Sequence, residues 1–173
     1  MTRLMPTRPV PDLDLPLAAG GRFVLADSDP ETFTLLLFYR GYHCPICRDQ
    51  LADLKAKLGA LADLGVEAVG ISMDGEERAR KSHDEWDLDG LRLAHGLSED
   101  EARGYGLYIS SAISEKEPDR FSEPGLFLVK PDRTLYFASV QTSPFTRPPL
   151  DELMRGIKYH RDHGYPARGT VGG

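Results

Sequence analysis

At 173 residues with a formal net charge of −6, the chain fits one domain around a single core, and no basic run supplies a nucleic-acid footprint. The stretch Met1–Pro9 lacks the apolar core of a secretory signal, and no apolar run approaches membrane-spanning length, so neither nucleic acid nor a membrane is expected as a partner. The two cysteines share one Cys-x-x-Cys, which suits a reducing compartment and a cytoplasmic location.

Val10 to Leu17 alternates apolar and polar residues, turns at Ala19-Gly20-Gly21 and returns as Phe23-Val24-Leu25, the pattern of an opening hairpin. Thr32 to Tyr39 is a continuous apolar run, which predicts a strand buried on both faces. After it, Cys47, Leu51, Leu54, Leu58 and Leu61 recur at steps of four and three, the stripe of one amphipathic helix, with Gly65 as its stop. Val66 to Ser72 reads as a second buried strand. Asp74 with Glu77 three residues on predicts a capped, mostly charged helix to about Trp86, with His83 and Trp86 as surface and core-edge residues. Leu91 to Ala94 is a short strand, and Ser98 with Glu101 a capping box that opens a helix ending near Gly104. Residues 110–121 are polar, carry both charge signs and Pro118, and read as a loop. Glu123 to Val129 and Thr134 to Val140 flank the turn Pro131-Asp132-Arg133 as an antiparallel hairpin. A last helix within 146–163 starts at Pro148 or Pro149, with Asp151 and Glu152 early and His160, Arg161 and His163 late. That order complements the helix dipole. His160 and His163 also stand at one-turn spacing, but no carboxylate or cysteine is grouped with them, so no metal site is read there. The result is one α/β domain over residues 1–173, with a parallel βαβ core finished by an antiparallel hairpin and a closing helix.

The chemistry concentrates in Arg40-Gly41-Tyr42-His43-Cys44-Pro45-Ile46-Cys47-Arg48, where the buried strand hands over to the helix. Open α/β sheets bind ligands beyond the carboxyl ends of their strands, and the Cys-x-x-Cys falls at such an end. Proline is favoured at the first helical position, so Pro45 makes Cys44 the N-cap. Its sulfur then accepts hydrogen bonds from free N–H groups at the positive end of the helix dipole, which favours a thiolate. Arg40 and Arg48 flank it, and Arg40 is a candidate catalytic cation. Cys47 continues the apolar stripe, so Cys44 is expected to be the accessible thiol and Cys47 the protected one. A disulfide closing so short a loop removes roughly 2 kcal/mol of unfolded-state entropy and must tighten the first helical turn, which suits a redox couple better than a staple. No third or fourth cysteine is present for structural zinc. The residues imply no metal and no cofactor.

The segment Pro11-Asp12-Leu13-Asp14-Leu15-Pro16, the turn Phe38-Tyr39-Arg40-Gly41-Tyr42-His43-Cys44-Pro45-Ile46-Cys47, the strand Val66 to Ser72, and Glu123 to Val129 with its Pro-Asp-Arg turn resemble the thioredoxin superfamily. Within it the resemblance is to the alkyl hydroperoxide reductase/thiol-specific antioxidant group, in its peroxiredoxin-like branch. It implies a thioredoxin-like fold with a mixed central sheet, flanking helices and an N-terminal hairpin. It implies Cys44 as the attacking thiol, Cys47 as the resolving one, and Pro124 as the counterpart of the substrate-side cis-proline of thioredoxin-like folds. A peroxide or disulfide substrate, a thioredoxin- or glutathione-type thiol reductant and a homodimer are the partners it brings. The chain departs from the typical Pro-x-x-x-Thr-x-x-Cys loop: Leu37 and Gly41 stand where proline and threonine would, and Pro124 where the distant arginine would. Arg40, Arg120 and Arg147 are the candidates to replace that arginine. Two other functions stay open, a protein disulfide reductase and a non-catalytic module holding a metal or partner. The Gly-Tyr-His-Cys-Pro turn is also similar to that of Sco-type copper proteins, which use a longer cysteine spacing and a distant histidine.

Overall fold

The computed structural model describes residues 4–172; of the stretch Met1–Pro9, Met1, Thr2 and Arg3 lie outside the described residues, as does Gly173. Strands β1 (Asp14–Pro16) and β2 (Arg22–Val24) form the opening hairpin, turned at Gly20 and Gly21, both at positive φ. The apolar run becomes β3 (Phe33–Phe38), in which every residue is buried. The helical stripe gives α1 (Pro45–Ala56) and, after a break at Lys57, α2 (Leu58–Asp63). The single helix expected through Leu61 is therefore two, although Leu51, Leu54 and Leu61 all still reach the core. Gly65 takes positive φ and ends the run.

Strand β4 (Val66–Ile71) lies parallel to β3, and α3 (Glu76–Glu85) leads on to β5 (Arg92–Ala94), parallel to β4. The expected cap on α3 is corrected here: Gly75 occupies the N-cap without a side-chain bond, because Asp74 is engaged elsewhere. Helix α4 (Glu99–Gly104) does carry the full Ser98–Glu101 capping box. Residues read as a loop instead pair as β6 (Ile109–Ser111) with β7 (Arg120–Ser122). The charged sequence hides this hairpin, since its strands alternate too briefly to signal a period. Strand β8 (Gly125–Val129) runs antiparallel to β3, followed by β9 (Leu135–Val140) and α5 (Leu150–His163), which ends at left-handed Gly164.

The main sheet has the order β5-β4-β3-β8-β9. Successive β3 side chains point to opposite faces. Phe33, Leu35 and Leu37 join the core under α1, α3 and α5, with Leu51, Leu54, Ala79, Leu150 and Ile157. Leu36 and Phe38 join the second core with Phe23, Ala102, Tyr105 and Phe127. Each leucine so buried contributes about 1.5–3 kcal/mol. The register sets Phe38 opposite both Ile71 and Gly125, so the end of β3, the end of β4 and the start of β8 share one edge of the sheet. The Cys-x-x-Cys turn leaves from that edge.

Candidate active site

Tyr39 continues the β3 ladder by donating its N–H to Ile71 O at 2.9 Å, and the chain then bends at Gly41, whose φ is +129°. A β-carbon at Gly41 would lie 2.7 and 2.8 Å from the two carboxylate oxygens of Asp74. Asp74 Oδ2 accepts the Tyr42 N–H at 2.8 Å and Oδ1 accepts Arg78 Nε–H at 3.1 Å. Burial raises the Asp74 pKa, while the Tyr42 N–H and Arg78 pull it back. A carboxylate thus fills the space beside position 41, and it locks the turn that presents Cys44. Sequence reading assigned Asp74 to a helix cap, because its long-range partners are invisible to local spacing.

Cys44 is the N-cap of α1 with Pro45 at the first helical position, and its sulfur accepts the Cys47 N–H at 3.2 Å. Cys44 and Cys47 are joined as a disulfide, with Cα atoms 5.2 Å apart. Both are buried, at 1% and 0% exposure, so the expected contrast between an accessible Cys44 and a protected Cys47 is corrected. Both belong to the core under α1, and the segment after β9 lays Arg147 against their sulfurs.

Arg147, in that segment, places Nη2 3.1 Å from Cys47 Sγ and 3.7 Å from Cys44 Sγ. Its Nε donates to Pro144 O at 2.8 Å, and Nη1 donates to Gln50 Oε1 on α1. The preceding Thr146 sits at φ 60°, costly for a β-branched residue, and the bend turns Arg147 inward. Burial first, then Arg40, lowers the Arg147 pKa to about 10, so the guanidinium stays charged at neutral pH. Of the three candidate arginines, Arg147 meets the sulfurs. Arg120 pairs with Glu99 at the surface.

Arg40 reaches the sulfurs by its backbone, donating its N–H to Cys47 Sγ at 3.4 Å. Its guanidinium turns to Glu123 (3.1 Å), to Glu117 (3.8 Å) and to the Phe121 ring (4.8 Å). The Glu123 contact is an ion pair without hydrogen-bond alignment, since neither Arg40 Nε nor Glu123 Oε2 makes a hydrogen bond. His43 packs edge-on to Phe121, and burial, with Arg40 and Arg78 nearby, lowers its pKa to about 4. It is neutral at neutral pH. Pro124 is buried just before β8, at the edge from which the cysteine turn leaves, but the described residues contain no cis peptide bond, so the cis expectation is corrected to trans. Among the described residues, no group of three or more histidine, cysteine or carboxylate side chains is gathered to hold a metal.

The sequence matches the AhpC/TSA family over residues 6–138. The chain belongs to the AhpC/TSA family. It is a peroxiredoxin-type protein of a family of thiol-dependent peroxidases, and its Cys44–x–x–Cys47 spacing is consistent with that activity. No curated protein matches it in sequence. Among solved structures it is similar to peroxidoxin BcpB from Mycobacterium tuberculosis, at 18% identity and a TM-score of 0.72, over 90% of this chain and 97% of that one. It is similar also to Enterococcus faecalis AhpC, at 16% identity and TM-score 0.75, over 94% and 97% of the two chains. Reduced Plasmodium vivax 2-Cys peroxiredoxin gives 17% and 0.72, over 95% and 86%. These likenesses establish the thioredoxin-like, peroxiredoxin-like fold with its mixed sheet and flanking helices. Arg147 and Gln141–Pro149 lie beyond the matched family segment, which is why the family pattern does not point to them. Among the described residues, no helix is long and apolar enough to cross a membrane.

Proposed function

We propose that this AhpC/TSA protein reduces peroxides through a Cys44–Cys47 cycle in which Arg147 supplies the cation that Pro124 leaves missing from the usual framework. The observation that carries the reading is the Arg147 guanidinium within 3.7 Å of both sulfurs, with Cys44 at the N-cap of α1. The Cys44 thiolate attacks one peroxide oxygen, the O–O bond breaks, and the departing oxygen takes a proton and leaves as water or alcohol. Cys44 is then a sulfenic acid. The Cys47 sulfur displaces that hydroxyl, which leaves as water with the Cys47 proton, and the disulfide forms. One external dithiol of thioredoxin type, or two thiols of glutathione type, return both electrons by exchange and leave as a disulfide. Arg147 and the α1 N-terminus stabilise negative charge on sulfur and on the departing oxygen. Arg40 aligns Cys47 through its N–H, and Pro124 forms the substrate-side wall at the head of β8. A cytoplasmic protein working as a homodimer fits this reading.

The test is Cys47→Ser treated with stoichiometric peroxide and a sulfenic-acid trap, the product mapped by mass. Trapped sulfenic acid at Cys44 is the expected outcome. A mixed disulfide formed only with protein disulfides would instead make the chain a disulfide reductase. Cys44 left as free thiol under both treatments would leave a non-catalytic module.

A further inference from the structure

The Cys-x-x-Cys stands among fixed charges that match in number. Arg40, Arg78 and Arg147 face Asp74, Glu117 and Glu123, three guanidinium groups against three carboxylates. His43 between them is neutral at neutral pH, and Arg48 on α1 is exposed and paired with Asp49. Asp74 is spent on Arg78 and the Tyr42 N–H. The remaining two acids work on the other two arginines. Glu117 and Glu123 have side chains only 11% and 5% exposed, so their fields are weakly screened by solvent. Glu123 Oε1 accepts the Ser110 hydroxyl at 2.6 Å, and Glu117 Oε2 accepts the Ile113 N–H at 2.7 Å. Both acids are therefore held by the β6–β7 hairpin and its exit, the stretch that local sequence reads as loop.

Burying Glu123 costs free energy unless something compensates. Arg40 compensates it in part, without an aligned hydrogen bond. Glu123 pairs with Arg40 at 3.1 Å, and its charge acts on Arg147 against that of Arg40, so it offsets both cations. With the pair oxidised, these charges balance. Reduction adds a thiolate, and the carboxylates then oppose it. We propose that Glu117 and Glu123 are positioning residues that, through Arg40 and Arg147, hold the Cys44–Cys47 pair toward its disulfide form. Without them, the unopposed guanidinium groups would favour the thiolate and make the couple a stronger oxidant.

The proposal rests on the redox reading of Cys44 and Cys47. It is tested on the full chain with Glu117→Gln and Glu123→Gln, whose amide oxygens still accept the Ile113 and Ser110 bonds. Each variant is equilibrated with dithiothreitol at neutral pH, and the dithiol fraction is read by alkylation and mass. The dithiol should gain about threefold in Glu117→Gln and about tenfold in Glu123→Gln, the latter about 30 mV for a two-electron couple. Cys44 alkylation should reach half-maximal rate at lower pH in the same order. A purely structural role would destabilise both redox forms and leave the ratio unmoved. Should Glu123→Gln fail to fold, Glu117→Gln decides alone, since its side chain lies at the hairpin tip. An equilibrium unchanged within about twofold, or moved toward the disulfide, overturns the proposal. A wild-type pair that does not exchange with dithiothreitol at all would sink the redox reading itself, and this proposal with it.

Discussion

Arg147→Gln removes one charge while keeping a side chain able to hydrogen-bond Gln50. A unit cation 3.7 Å from Cys44 Sγ interacts with a thiolate there by roughly 4 kcal/mol at an effective dielectric of about 20. The cost of holding the half-buried guanidinium out of water offsets part of that. The net loss should therefore be about 1.5–3 kcal/mol, or a rise of about 1–2 units in the Cys44 thiol pKa. Losing a donor aimed at developing charge costs about 100- to 1,000-fold in rate, so the attacking step should fall by that order at saturating thiolate. The pKa is read from thiolate ultraviolet absorbance of the reduced protein against pH. The rate is read by stopped flow with peroxide, above the shifted pKa so that the two effects separate. A wild-type pKa and an attack rate within about threefold of wild type would refute the role given to Arg147.

Gly41→Ala should lower stability by about 2–4 kcal/mol in urea unfolding, because its β-carbon meets the buried Asp74 carboxylate at 2.7 Å and φ is +129°. A wild-type midpoint would mean that Asp74 can retreat. Thr146→Gly should relieve the left-handed bend, leaving stability unchanged or raised by about 1 kcal/mol, while slowing attack as Arg147 loosens; retained rate would detach the bend from the site. Arg40→Ala leaves Glu123 buried without its cation and should cost about 3 kcal/mol of stability, so a fully stable variant would deny the ion pair its structural weight. For His43, the folded pKa of about 4 lies below the ordinary 6.5, so the unfolded chain binds more protons between those values. Stability from this group is present above about pH 6.5 and lost as pH falls toward 4, by about 1–2 kcal/mol once solvent at the half-buried ring is allowed for. The raised Asp74 pKa acts in the opposite sense, so the comparison is with His43→Asn, whose acid limb should be flatter; equal slopes would refute the assignment.

The cysteine turn was legible because its determinants are local. Pro45, the four-and-three stripe behind Cys47, and the apolar run of β3 each act within a few residues, and together they set Cys44 at the N-cap. The same locality made Ser98–Glu101 readable as a capping box. Asp74–Glu77 has the same spacing and failed, because a buried carboxylate takes the strongest partners in reach, and the Tyr42 N–H and Arg78 outcompete a helix end. The β6–β7 hairpin was missed because three-residue strands of mixed polarity carry too little periodicity to distinguish them from loop.

The burial of Cys44 could not be read from its helix position, since an N-cap is buried or exposed according to what the fold packs against it. Part of that packing is Arg147, 100 residues from Cys47 in sequence. Nothing near Arg147 in the chain distinguishes it from Arg120 or Arg40, which carry the same charge on the same side chain. Local sequence thus determined which sulfur caps the helix and that both cysteines fall in its first turn. The choice of cation was left to tertiary packing, because a guanidinium acts over a few ångströms and only the folding of β9 and α5 onto the sheet brings one within reach of the sulfurs.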